Sequence, residues 1–167
     1  RIKKNEKILC AKYRTGHFEG VLNVMNRLTY LIKPNKIYMG EKDFQQLYIV
    51  KKYIEKKYKT KIVSCKTIRQ KNRLALSSRN LLLNKKALFI AGKIAQKIFF
   101  LKKEISKIDN KEKFLFLKKN ELNNQYKINI EYLELRNKSN LKISNKVKNS
   151  KIFISYYINK IRLIDNF

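Results

Sequence analysis

Between Val21 and Cys65 the hydrophobic period of this chain alternates between helical and extended, and that alternation limits the folds open to it. Val21, Leu22, Val24, Met25, Leu28, Leu31 and Ile32 recur at helical spacing until Pro34-Asn35 stops the run. This predicts a core helix. Lys36 to Met39 then reads as a short buried strand, Phe44 to Tyr58 as an amphipathic helix with Leu47, Ile49, Val50, Tyr53 and Ile54 inward, and Lys61 to Cys65 as a second strand. Helix, strand, helix, strand with short links requires parallel strands joined by a right-handed crossover, hence an open α/β sheet that takes ligands at the carboxyl ends of its strands.

The turn between Met39 and Phe44 carries more chemistry than a connection requires. Gly40-Glu41-Lys42-Asp43 sits where a strand hands over to a helix, and Gln45-Gln46 follows in the first helical turn. A helix N-terminus presents unpaired N–H groups and a partial positive charge, and a glycine lets a phosphate approach the backbone. Upstream, Lys7 to Ala11 reads as a plausible short strand. It leads to Arg14-Thr15-Gly16-His17-Phe18-Glu19-Gly20, which contains the only histidine of the chain. A lone histidine is more often structural than catalytic, and no paired base or metal ligand lies near His17 in sequence.

Beyond Cys65, residues 66–73 are polar and loop-like and open into Leu74-Ala75-Leu76-Ser77-Ser78-Arg79-Asn80. Two hydroxyls and an arginine make a compact set of phosphate donors. Taken alone, the same residues fit an ordinary loop or helix cap. Residues 85–123 are helical in pattern, with a break between Ile98 and Ile105, and predict two helices. Ile128 to Leu135, Lys151 to Ile158 and Ile161 to Asn166 alternate as strands, with Asn159-Lys160 as a turn, so the chain closes with a small antiparallel sheet. The polar, lysine-rich stretch 137–150 fits a mobile loop. The division expected from this pattern is 1–83 and 84–167.

Charge and composition exclude some classes. The net charge of +29 first suggests a nucleic-acid partner. The lysines, however, run through the whole length among Ile, Asn, Tyr and Phe, which reads as a compositional bias with most lysines on solvated faces. Only nonspecific, salt-dependent RNA binding is expected of it. A basic RNA-associated binding protein is the alternative to any enzymatic reading. No apolar run approaches the length of a membrane span, and no signal-peptide core follows the N-terminus, so a cytoplasmic location is expected. Cys10 and Cys65 lack partners at ligand spacing and are expected as buried, reduced thiols.

Four segments occur together in one family. Gly16-His17-Phe18-Glu19-Gly20-Val21, Gly40 to Leu47, Leu74 to Asn80 and Arg162-Leu163-Ile164-Asp165-Asn166 stand in the order and approximate spacing of pantothenate synthetases, so the chain resembles that family over most of its length. The resemblance implies a nucleotidylyltransferase-type Rossmann sheet, here its rear part and the seat of ATP and pantoate, followed by a small α+β domain with an antiparallel sheet. It implies the AMP-forming condensation of pantoate with β-alanine through a pantoyl adenylate, with ATP and Mg2+, in a homodimer. Gly40, Glu41, Lys42, Asp43, Ile68, Leu76, Ser77, Ser78 and Arg79 would contact ATP, and Gln46 would bind pantoate. Lys42, Ser77, Ser78 and Arg79 would be the catalytic residues.

This sequence also departs from the family pattern. Thr15 stands where the family has Pro, Asn72-Arg73 where it has Asp-Gly, and Asn159 near a family Gly. The family's His-x-Gly-His motif and an early pantoate-binding glutamine have no counterpart before Arg14. The chain therefore resembles a C-terminal portion, for which exposed sheet edge, poor solubility and no catalysis alone are expected. Relatives of the same fold that act on other small acids are a third reading, against which the combination of Gln46 with Ser77-Ser78-Arg79 argues.

Overall fold

The computed structural model describes residues 2–167, which divide into two compact units between Thr67 and Ile68. In the first unit a 3-10 turn, Lys4–Glu6, precedes a one-turn helix α1 (Cys10–Tyr13). Helix α2 (His17–Ile32), strand β1 (Lys36–Gly40), helix α3 (Phe44–Lys57) and strand β2 (Lys61–Cys65) follow. β1 and β2 pair in parallel with Ile37 opposite Ile62 and Gly40 opposite Cys65. The crossover through α3 is what such pairing needs, since a tight hairpin joins only antiparallel strands. Leu47, Val50 and Ile54 of α3 close over Ile62, with Val21, Met25, Ile37 and Met39 packed against them.

Three expectations for this unit need correction. Residues 7–11 are not a strand. The carbonyls of Glu6 and Ile8 are taken by the Gln45 side-chain amide, at 3.3 and 2.7 Å, Leu9 has φ 48°, and local bonds such as Arg14 N–H to Cys10 O close a helical turn. α2 starts at His17 and is not buried all round. Phe18 and Thr29 are buried, but Val24, Leu28, Leu31 and Ile32 of its apolar run are exposed, because α2 packs mainly against α3 and on one face only. Of the two free thiols, Cys10 is buried as expected and Cys65, at the end of β2, is exposed.

The second unit begins with a hairpin-like segment and a 3-10 turn (Ser78–Leu82), then helices α4 (Lys85–Glu104) and α5 (Lys111–Tyr126) and strands β3 (Asn129–Asn137), β4 (Ser150–Ile158) and β5 (Ile161–Asn166). Both helices start on an asparagine: Asn84 Oδ1 accepts from Ala87 N–H and Asn110 Oδ1 from Lys113 N–H. The strands form an antiparallel sheet in the order β3-β4-β5, with Leu133 opposite Ile154 and Ile154 opposite Asp165. Ile94 and Ile98 of α4 and Ile105, Leu115, Ile130, Ile152 and Ile154 meet in one core and are fully buried. Each such side chain contributes about 1.5–3 kcal/mol of burial.

The contact boundary at Thr67/Ile68 falls ahead of the 83/84 division expected, because Leu74 and Leu83 join this second core. Nor is the segment after β3 an open loop. Leu141 is buried, its carbonyl accepts from Arg136 Nη1 at 2.7 Å, and Lys138 N–H bonds to Asn149 O.

Candidate active site

In the first unit the candidate residues gather at the carboxyl end of β1. Gly40 is the last residue of the strand, exposed and extended (φ −71°), and a Cβ placed on it would meet nothing within 4 Å. Its conformation does not demand glycine. What glycine leaves there is open space at the mouth of the turn. Glu41, Lys42 and Asp43 form a 3-10 turn, with Lys42 half-buried and Asp43 exposed, and α3 starts at Phe44. Asp43 holds the N-cap position without a capping hydrogen bond from its side chain, so its carboxylate does not close the helix start. The arrangement suits an anion: a cation, an open backbone and a helix N-terminus within one turn.

Gln45 and Gln46 share a sequence and not a role. Gln45 is buried and its Nε2 ties α3 to the chain at Glu6 and Ile8; its Oε1 is buried and makes no hydrogen bond. Gln46, one helical turn beyond Lys42, is half-buried. His17 lies at the start of α2, half-buried, 2.9 Å from an Arg14 guanidinium nitrogen. Arginine only donates, so His17 Nε2 accepts and its proton sits on Nδ1. Among the described residues no group of three or more His, Cys, Asp or Glu could hold a metal ion.

In the second unit Ile68, Leu76, Ser77, Ser78 and Arg79 are brought together by the hairpin. Leu76 N–H bonds to Ile68 O at 3.0 Å, Gln70 N–H to Leu74 O at 2.8 Å, and Arg69 pairs with Ala75 across it. Ile68 and Leu76 are both exposed, at 71% and 51%, two apolar side chains on one short ladder. The ordinary cap role is also present. Ser77 Oγ accepts from Arg79 N–H at 3.3 Å, and Asn80 is buried with its Nδ2 on Ala75 O. That leaves the exposed Ser78 hydroxyl and the Arg79 guanidinium, which gives one N–H to Arg162 O at 3.1 Å. Each cluster is defined within its own unit.

The family model described as Pantoate-beta-alanine ligase matches residues 1–167. The chain belongs to that family. The pantothenate synthetase of Flavobacterium psychrophilum is 40% identical over 93% of this chain and 56% of its own length. That of Francisella tularensis subsp. mediasiatica is 40% identical over 96% of this chain and 53% of its own. The chain thus spans about half the length of the curated relatives it matches. The crystal structure of the Francisella tularensis pantoate-beta-alanine ligase, complexed with beta-gamma ATP and beta-alanine, superposes with a TM-score of 0.76 at 35% identity, covering all of this chain and 56% of that one. The Thermus thermophilus pantothenate synthetase gives a TM-score of 0.87 at 24% identity over 62% of its chain, a likeness of fold. The basic binding-protein alternative finds no support among these relatives.

Gln45 stood out as one of two amides at the turn after β1, but its bonds to the Glu6 and Ile8 carbonyls were not legible. Arg69, which forks onto Asp165, did not stand out by residue type. Asp165 was visible only as part of the Arg162 to Asn166 segment. Two of the departures, Arg73 (φ 71°) and Asn159 (φ 54°), hold left-handed backbone, the region that favours the glycine expected at or near those turns.

Proposed function

We propose that this chain supplies part of the site of an ATP-dependent ligase that condenses pantoate with β-alanine, giving pantothenate, AMP and pyrophosphate. The observation that carries the reading is the family match over all 167 residues together with the anion-suited β1–α3 junction. In the first step a pantoate carboxylate oxygen attacks the α-phosphorus of ATP and pyrophosphate leaves. In the second the amine of β-alanine attacks the acyl carbon of the adenylate, loses a proton and expels AMP.

Activation is needed because a carboxylate is a poor acyl donor, and the protein's work is to hold two anions together and offset the charge that develops on phosphorus. Lys42 places a cation on the polyphosphate from the turn after β1, and the open face of Gly40 admits the nucleotide. Gln46 donates and accepts toward the hydroxyls and carboxylate of pantoate. Ser78 and Arg79 take phosphate oxygens, Ser77 holds their turn, and Ile68 and Leu76 flank the base. Mg2+ fits as a companion of ATP: with no protein cage among the described residues, one carboxylate, Asp43, would hold it beside the phosphates. It would supply charge neutralisation at the departing pyrophosphate. The reading includes a homodimer and a cytoplasmic location.

The test is pantoate-dependent exchange of labelled pyrophosphate into ATP. This chain is assayed alone and then mixed with a separately expressed N-terminal portion of a family relative that carries the His-x-Gly-His motif. Exchange in the mixture only is the expected result, and Lys42→Ala in that mixture should lower it by about 10²–10³-fold. A mixture of two folded partners that supports no exchange overturns the reading.

A further inference from the structure

The Ser77–Arg79 turn has no core of its own: Ser78 is exposed, and Ser77 and Arg79 are half-buried. Ser77 Oγ and Asn80 Nδ2 close it locally, and the hairpin that leads into it carries it. On the opposite arm of that hairpin, Arg69 makes four side-chain hydrogen bonds and a ring contact. Its Nη1 donates to Asp165 Oδ2 at 2.7 Å and to Arg73 O at 2.8 Å. Its Nη2 donates to Asp165 Oδ1 at 2.9 Å and to Asn166 O at 2.8 Å. The guanidinium plane lies 4.2 Å from the centre of the Phe167 ring. One side chain thereby joins the hairpin turn, through Arg73, to the end of β5.

The register transmits that anchoring to the turn. Arg69 sits opposite Ala75, and Leu76, the next residue, donates its N–H back to Ile68 O. Ser77 to Arg79 follow directly, and Arg79 itself reaches Arg162 O at the other end of β5. The hairpin tip has separate supports on α4. The Arg73 guanidinium lies over Phe99 at 4.3 Å, and Gly92 makes room for Asn72, whose Nδ2 would be 2.3 Å from a Cβ there. Arg69 links the arm beside Leu76 to the C-terminal end of β5.

Energetics favour a positional role over a stabilising one. The Arg69 and Asp165 side chains are 19% and 8% exposed, so both charges lose most of their hydration, and such pairs are weak sources of net stability. What a forked, two-point pair does supply is a fixed direction. We propose that Arg69, clamped by Asp165 and stacked on Phe167, is the positioning residue that sets the proposed nucleotide loop Leu76–Arg79. The proposal rests on the ATP assignment of that loop for its function, and on the geometry alone for its mechanics.

Arg69→Lys keeps the charge and loses the fork. In this full chain, amide hydrogen exchange at Leu76 and Gln70 should quicken about tenfold or more, with the β3–β4 amides unchanged. In the exchange-competent mixture the KM for ATP should rise by about tenfold to a hundredfold while the KM for pantoate stays within about twofold. Ile152→Val, a core cut in the same unit, is the control: it should lower the melting temperature at least as much and leave the KM for ATP alone. If Arg69→Lys fails to fold, Asp165→Asn should give the same exchange pattern. Unchanged exchange at Leu76 overturns the clamp whatever the mixture does. Quickened exchange at Leu76 with an unaltered KM for ATP overturns its role in nucleotide binding. A mixture without any activity, with Leu76 exchange quickened, leaves the clamp standing and strikes the ligase reading.

Discussion

The two units of this chain satisfy their hydrophobic surface in opposite ways. Residues 68–167 wrap two helices on an antiparallel sheet, and seven large side chains from Ile94 to Ile154 are lost from solvent entirely. Residues 1–67 carry a parallel pair of strands, each hydrogen-bonded along one edge only, and leave Val24, Leu28, Leu31 and Ile32 of α2 and Tyr38 of β1 exposed. An antiparallel sheet can close with one covered face, whereas parallel strands are ordinarily buried on both. The same hydrophobic content therefore yields a finished core in one unit and uncovered faces in the other.

The largest effect that would sharpen this contrast is a paired truncation. Ile152→Ala should cost about 2–5 kcal/mol through loss of burial and a residual cavity, while Leu31→Ala should change stability by less than about 0.5 kcal/mol, both read by urea unfolding. Equal costs would erase the distinction between the units. A smaller effect is expected at Glu6, whose carboxylate accepts from Lys52 Nζ at 2.6 Å, Tyr53 Oη at 2.7 Å and Lys3 N–H at 2.7 Å. Burial pushes its pKa up, but the bonds from Lys52, Tyr53 and Lys3 outweigh that and hold it below the ordinary carboxylate range. A depressed carboxyl stabilises above its unfolded pKa and loses that contribution as pH falls through its folded one. Acid should therefore loosen the Lys4–Glu6 turn before the sheet of the second unit, as seen by amide exchange. Glu6→Gln should remove that pH step at a cost of about 1–3 kcal/mol at neutral pH.

Surface substitutions test the uncovered face more gently. Leu31→Lys with Ile32→Lys should reduce self-association in sedimentation runs without lowering the melting temperature, because neither side chain is inside a core. Smallest of all is Asn159→Gly in the β4–β5 turn. Relief of the left-handed backbone at φ 54° should add about 0.5 kcal/mol to the second unit, offset in part by the freer unfolded chain. The same change at Arg73 should bring no gain, since it also removes the guanidinium stacked on Phe99.

Legibility followed the range of the interactions. Element types from α2 onward were readable because helical and extended periods are written in neighbouring residues. The residues of the two candidate clusters were readable as motifs. Their supports were not: Gln45 meets Ile8 across 37 positions and Arg69 meets Asp165 across 96, and nothing local marks either partner. The false strand at residues 7–11 has the same origin, since a side chain from α3 takes the carbonyls that a ladder would have used.

By itself, then, the sequence determined the order of elements from α2 onward, the parallel crossover, the family and the residues that concentrate at the β1–α3 junction and the Ser77–Arg79 turn. Tertiary structure alone decided which face of α2 is covered, where the two units divide and how Arg69 is clamped. The reason is physical: backbone period is set by adjacent residues, while burial and charge pairing depend on which distant segments fill the space beside them.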